Sequence, residues 1–248
     1  LKEGIYHGED EDQRISELCL FRSTNGEGWT TLKEYIERMP EGQEAIYTIT
    51  GPALKTLESS PHLEALRAKG YEVLLLTDAV DEWILPRLTE FDGKPLRAVE
   101  KGAIDLEDDE QKKAREEQQE EHKELLGAMC ESLAEQLSEV RFSGRLAESA
   151  AVLVSGENAL SPQLERMLKS QGQEIPPQKR ILELNASHPI VRGLKKLYDV
   201  DPKSPRVGEV TELLYGQALL GEGSELEDPA RFAKLVTDLI VESVGAKA

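Results

Sequence analysis

The sequence predicts a small α/β layered subdomain followed by a mixed α+β domain that ends in a helical hairpin. Three observations carry this reading. Residues 45–76 read as strand, helix, strand: Ala45-Ile46-Tyr47-Thr48-Ile49-Thr50 is β-branched and aromatic, residues 62–69 are helical, and Tyr71-Glu72-Val73-Leu74-Leu75-Leu76 is nearly all apolar. A βαβ unit this short implies a right-handed crossover onto a parallel sheet. Residues 105–124 are almost entirely charge and glutamine, a composition that cannot bury a core, so the bodies are expected to divide there, as 1–114 and 115–248. Last, Val207, Val210, Leu213, Leu214 and Ala218 recur at helical spacing, and so do Phe232, Leu235, Leu239 and Val244 beyond Gly221-Glu222-Gly223-Ser224 and an Asp228-Pro229 helix start.

In chain order, the acidic run Glu9-Asp10-Glu11-Asp12 reads as a solvated helix entry, and Ile15, Leu18, Cys19 and Phe21 as a short amphipathic helix. Asn25-Gly26-Glu27-Gly28 is a turn, since no strand precedes it and no Gly-Lys-Ser/Thr follows as a phosphate loop would require. Residues 31–39 form a brief helix before the first strand. The run at 71–76 is too short for a core helix and suits a strand buried on both faces. Residues 77–91 place Val80, Ile84, Leu88 and Phe91 on one helical face with Asp78 as its cap, although Pro86 removes a backbone donor. At about 100° per residue, Trp83 falls roughly 95° from the centre of that stripe, at the edge where a large ring is either partly exposed or ordinary core. Residues 96–99 return as a strand.

Beyond the charged stretch, Leu125, Met129, Leu133 and Leu137 mark a helix docking on the second body, and residues 140–142, 151–154 and 181–184 read as strands. Between the last two lies an isolated helix capped by Ser161 and opened by Pro162, with Leu164, Met167 and Leu168 on one face and Leu160 beside them. Glycine-bearing segments at 155–158 and 172–177 tether it loosely, so its stripe either turns outward or, the reading preferred on the residues alone, packs against its own domain. In the terminal hairpin, Val236, Ile240 and Val241 widen the second stripe beyond what two helices can bury. Either this stripe packs on its own domain, or a second copy covers it as a four-helix bundle, each buried Leu, Ile or Phe contributing roughly 1.5 to 3 kcal/mol.

Composition excludes several classes. A net charge of −18 over 248 residues lacks the basic footprint that nucleic acid or an acidic membrane surface demands. No apolar run approaches the roughly 20 residues needed to span a bilayer, and no basic-then-apolar leader opens the chain. Cys19 and Cys130 are expected to be reduced thiols of a cytoplasmic protein, and His7, His62, His122 and His188 are too scattered for a metal site. A chain opening on Leu1 rather than Met is expected to be part of a longer one. A small-molecule enzyme would place its ligand at the strand ends near Thr50 and Asp78, with Asp78 and Asp81 as acid–base candidates. No nucleophile–base pair, oxyanion site or phosphate cradle accompanies them.

Two stretches are more specific: SSPHLEALRAKGYEVLLLTDAVDEWILPRLTEFDGKPL at 59–96 and LLYGQALLGEGSELEDPARFAKLVTDLI at 213–240. With LCLFRST at 18–24 and ILELNASHPIV at 181–191, they resemble the heat-shock protein 90 chaperones of the bacterial HtpG type along essentially the whole chain. The resemblance implies the second half of the chaperone middle domain followed by the C-terminal dimerisation domain. It implies an ATP- and magnesium-dependent parent whose nucleotide domain and γ-phosphate arginine lie upstream of Leu1, so that this chain needs no cofactor and is not itself an enzyme. The chain ends Val244-Gly245-Ala246-Lys247-Ala248, without the Met-Glu-Glu-Val-Asp tail of eukaryotic cytosolic relatives. Matched position by position, Glu82 and Trp83 correspond to the family's middle-domain client contacts, and Leu160, Leu164, Met167 and Leu168 to its client-binding helix. Pro86 departs from the polar residue common there. The expected partners are unfolded or partly folded clients and a second copy of the chain, joined through Val210, Leu213, Leu214, Phe232, Leu235 and Leu239.

Overall fold

Every residue of the apolar run at 73–76 is buried, because the sheet that contains it is covered on both faces. The computed structural model describes residues 2–8, 13–102, 104, 106–157, 159–176 and 178–245, so Glu9 to Asp12, Asn158 and the last three residues lie outside the described residues. Contacts divide the chain into two units, one of residues 1–106 with 155–176, the other of residues 107–154 with 177–248.

In the first unit, β1 (Arg22–Ser23), β2 (Ile46–Thr50), β3 (Val73–Leu76), β4 (Glu90–Phe91) and β5 (Lys94–Ala98) form a sheet of order β1-β3-β2-β5-β4. β2 runs parallel to β3 and β5, and β1 and β4 pair antiparallel at the edges. Strand alternation then sorts the side chains. Ile46, Leu74 and Leu76 pack with Leu32, Tyr35 and Ile84 in one layer. Tyr47, Ile49, Val73 and Leu75 pack with Leu57, Leu63 and Leu66 in the other. The crossover from β2 to β3 runs through short helices Leu54–Glu58 and Glu64–Ala68, the arrangement expected from the 45–76 pattern.

The helix expected at 77–91 shrinks to one turn, Asp81–Ile84. Asp78 is not its cap: its carboxylate and that of Asp81 are held by Lys2 Nζ at 2.8 and 2.7 Å, and Pro86 lacks the donor that would extend the turn. Phe91, expected on the same helical face, instead pairs with Lys94 in the β4–β5 hairpin. Phe21, also expected on a helix, bridges to Thr30, and Arg22 opens β1.

The second unit is built on β6 (Leu137–Phe142), β7 (Ala151–Val154) and β8 (Arg180–Leu184), in the order β6-β8-β7, with β6 parallel and β7 antiparallel to β8. Leu137, assigned by periodicity to the preceding helix, begins β6; the helix itself is Lys123–Ser132. Val140, Phe142, Leu182 and Leu184 face a core shared with Met129, Val207 and Leu214. Helix Pro189–Val200 starts with His188 as cap and Pro189 in the first turn. Helices Pro205–Gly221 and Pro229–Ser243 form the expected hairpin. They close tightly at Gly216, where a Cβ would stand 2.6 Å from the Phe232 ring.

On the sheet face away from that core, the carboxylate of Glu183 meets Arg141 across the strand pair, at 2.8 Å, and the Arg145 Nε, also at 2.8 Å. Ser143 Oγ donates to it at 2.8 Å. Burial works to raise the pKa of Glu183, but the charges of Arg145 and Arg141 and the Ser143 hydrogen bond outweigh it and hold the carboxyl below its usual range.

Candidate functional site

Helix Pro162–Ser170 belongs to the first unit. Ser161 caps it by accepting from the Leu164 amide at 3.0 Å, and Pro162 occupies a position whose amide would have had no partner. Leu164, Met167 and Leu168 follow at helical spacing and are half-buried, as is Leu160. The Ser161 hydroxyl also donates, reaching Glu82 Oε2 at 2.6 Å. One hydroxyl therefore ends the helix and ties it to the turn Asp81–Ile84.

Glu82 and Glu100 are only 4% and 5% exposed. Both line a cavity of about 500 Å³ whose wall includes Leu85, Leu96, Leu160 and Leu164. Glu100 Oε1 accepts from the Thr50 hydroxyl at 2.9 Å and the Thr50 amide at 3.3 Å. Among the described residues, Glu82 Oε1 and Glu100 Oε2 have no hydrogen-bond partner. Burial pushes the Glu100 carboxyl up to about 7, and the neighbouring Glu82 charge adds to the shift.

The structure thus brings Glu82, Leu160 and Leu164 to one cavity, which Trp83, Met167 and Leu168 do not line. Trp83 is half-buried, its ring edge-on to Tyr6 at 6.1 Å. Its offset from the apolar stripe marked that partial exposure in the sequence. Glu100 escaped sequence reasoning because a single acid after a strand has no periodic signature. Of the alternative enzyme residues, Thr50 is committed to Glu100, while Asp78 and Asp81 are committed to Lys2. Burial raises the Asp81 carboxyl despite the opposing pull of Lys2.

In the second unit, Leu214 and Leu235 are buried within the chain, and Val210, Leu213 and Phe232 are half-buried. Leu239 begins an exposed apolar run that continues through Ile240 and Val241 to Val244, of which Ile240 is 55% and Val244 69% exposed. No group of His, Cys, Asp or Glu suited to a metal occurs among the described residues, and no helix there is long and apolar enough to cross a membrane.

Residues 1–248 match the family model described as Hsp90 protein. The chaperone protein HtpG of Geobacter metallireducens is 46% identical over 254 residues, covering 100% of this chain and 39% of its own length. HtpG of Geobacter sulfurreducens is 47% identical over 254 residues, with the same coverage. That of Nocardia farcinica is 47% identical over 255 residues, covering 98% of this chain. The chain therefore spans 39% of the length of these curated relatives.

Proposed function

The chain belongs to the Hsp90 protein family, and on that premise we propose that it is the dimerising and client-binding part of a molecular chaperone. In this reading residues 1–114 are the latter part of the middle domain and residues 115–248 the C-terminal dimerisation domain. ATP and magnesium are used by parts of a longer parent outside this chain, which neither binds nor hydrolyses nucleotide itself. The protein is cytoplasmic and works on unfolded or partly folded polypeptides. Clients contact Glu82, Trp83, Leu160, Leu164, Met167 and Leu168.

The observation that supports dimerisation is the apolar run Leu239, Ile240, Val241 and Val244 left exposed on the last helix. Two hairpins laid together would bury these residues as a four-helix bundle, with Val210, Leu213 and Phe232 beside the seam and Leu214 and Leu235 supporting it from within each chain. An acidic surface keeps the assembly soluble and attracts basic segments.

Sedimentation at several concentrations tests the first half of this reading: the native chain should be a dimer at micromolar concentration and Leu239→Asp a folded monomer. A dimeric variant would remove these helices from the interface. Suppression of aggregation of an unfolded test protein checks the second half. Trp83→Ala should weaken it while lowering stability by only about 1 kcal/mol, the worth of an aromatic pair at a half-buried site. A loss of about 3 to 5 kcal/mol would make Trp83 ordinary core.

A further inference from the structure

The cavity at Glu82 and Glu100 has chemistry that client binding by apolar contact does not explain. Two carboxylates are more than nine-tenths buried, each presents an oxygen without a partner, and among the described residues no cation is paired with either of them. Lys101 also lines the cavity, and its charge works against the rise of the Glu100 carboxyl, but among the described residues it makes no salt bridge with Glu82 or Glu100. A buried acid left in this state is costly unless something supplies the missing charge. The nearby buried acid Asp81, by contrast, is satisfied by Lys2.

We propose that this cavity receives a lysine side chain from an extended client segment, its ammonium bridging Glu82 Oε1 and Glu100 Oε2. The proposal rests on the client-binding reading and names the side chain that the site selects. The walls are apolar at Leu85, Leu96, Leu160 and Leu164, and the exposed residues Pro86 and Thr89 mark the side open to solvent. That combination suits a four-carbon stem carrying a charge at its tip. Arginine fits less well. Its planar fork pairs best with both oxygens of one carboxylate, and here Ser161 already occupies one oxygen of Glu82 and Thr50 one of Glu100. A compact ammonium with three donors can take one free oxygen from each. The volume of about 500 Å³ leaves room for backbone on either side of the lysine. The net charge of −18 favours approach of a basic segment.

Binding has a proton signature. Near pH 7 Glu100 is partly protonated, and an arriving ammonium displaces that proton to solvent. The probe is a blocked five-residue alanine peptide with a central lysine, titrated against the 248-residue chain by NMR at the Ser161 and Thr50 amides and by calorimetry in buffers of different ionisation heat. Saturable shifts with proton release at pH 7 are expected, with binding roughly tenfold or more weaker for the norleucine and arginine peptides. Glu100→Gln should abolish the proton release, and Glu82→Gln should weaken binding by a similar factor without removing it; either variant that folds suffices. Equal binding of the lysine and norleucine peptides, or no effect of the variants, would overturn the proposal. Cadaverine binding as tightly as the peptide would mean that the cavity takes free amines and not client. Aggregation of an unfolded test protein is followed in parallel. Suppression without lysine preference sinks the lysine cavity alone, whereas failure to suppress sinks the client reading and this inference with it.

Discussion

Glu183 in the second unit and Glu100 in the first are both buried carboxylates, 3% and 5% exposed, yet their surroundings have opposite character. Glu183 is ringed by Arg141, Arg145 and Ser143 and stays ionised. Glu100 accepts from Thr50 on one oxygen and feels the Lys101 charge, but it makes no salt bridge among the described residues, faces another acid and is driven toward its neutral form by burial. Glu183 finds its partners within its own strands and turn, whereas Glu100 Oε2 finds none among the described residues. Burial alone distinguishes neither.

The largest test of this contrast is Arg145→Met. Removing one cation from a buried pair exposes the desolvation penalty of the acid left behind, so the second unit should lose about 3 kcal/mol or more, measured by amide exchange along β8. A loss below about 1 kcal/mol would mean that Arg141 alone satisfies Glu183 and that the contrast is shallower than the geometry implies.

Next is the pH dependence, where the two acids should act with opposite sign. The folded Glu100 carboxyl titrates at about 7 against an ordinary 4.5. The folded state therefore holds this proton more tightly, and the stabilisation is complete below 4.5 and lost as pH rises through about 7, on the order of 3 kcal/mol in all. Glu183 is lowered, so its contribution is present above 4.5 and lost as pH falls through the folded value. Trp29 and Trp83, the two tryptophans of the chain, both lie in the first unit, so urea unfolding followed by their fluorescence reports that unit. Glu100→Gln should flatten its decline between pH 5 and 8. An unchanged slope would assign the decline to other groups.

A smaller effect is expected for Ser161→Ala, which removes a helix cap and the Ser161 hydrogen bond to Glu82 together. The cost should be about 1 to 2 kcal/mol by the same fluorescence. A neutral result would show that Glu82 finds another donor once the helix end loosens.

Most of the scaffold was legible in the residues. The run at 73–76 predicted a strand covered on both faces, and the stop signal at 221–224 with Asp228-Pro229 predicted the hairpin, because each depends on local pattern and chain punctuation. The 77–91 segment misled for a physical reason. Its apolar spacing satisfies a helix, but Lys2, 76 residues away from Asp78, takes the carboxylate that would have capped it, and Pro86 ends what remains. Helix Pro189–Val200 carried a readable start in His188 and Pro189 that the strand pattern before it overshadowed.

The sequence by itself determined the central strands, the hairpin, the acidic character and the family, because periodicity, turn chemistry and charge are local or additive properties of the chain, whereas the short edge strands at 22–23 and 90–91 fell inside helical spacing. The sequence also singled out Glu82 and Leu164 as candidates without any means of placing Glu100 beside them. Only the tertiary structure decided that the cap of the helix at 162–170 bonds to the turn at 81–84, that one buried acid would meet two arginines, and that two others would meet no arginine among the described residues. Those outcomes turn on which side chains arrive within about 3 Å of one another in a medium where an unmatched charge is expensive, and residues far apart in the chain carry no mark of that meeting.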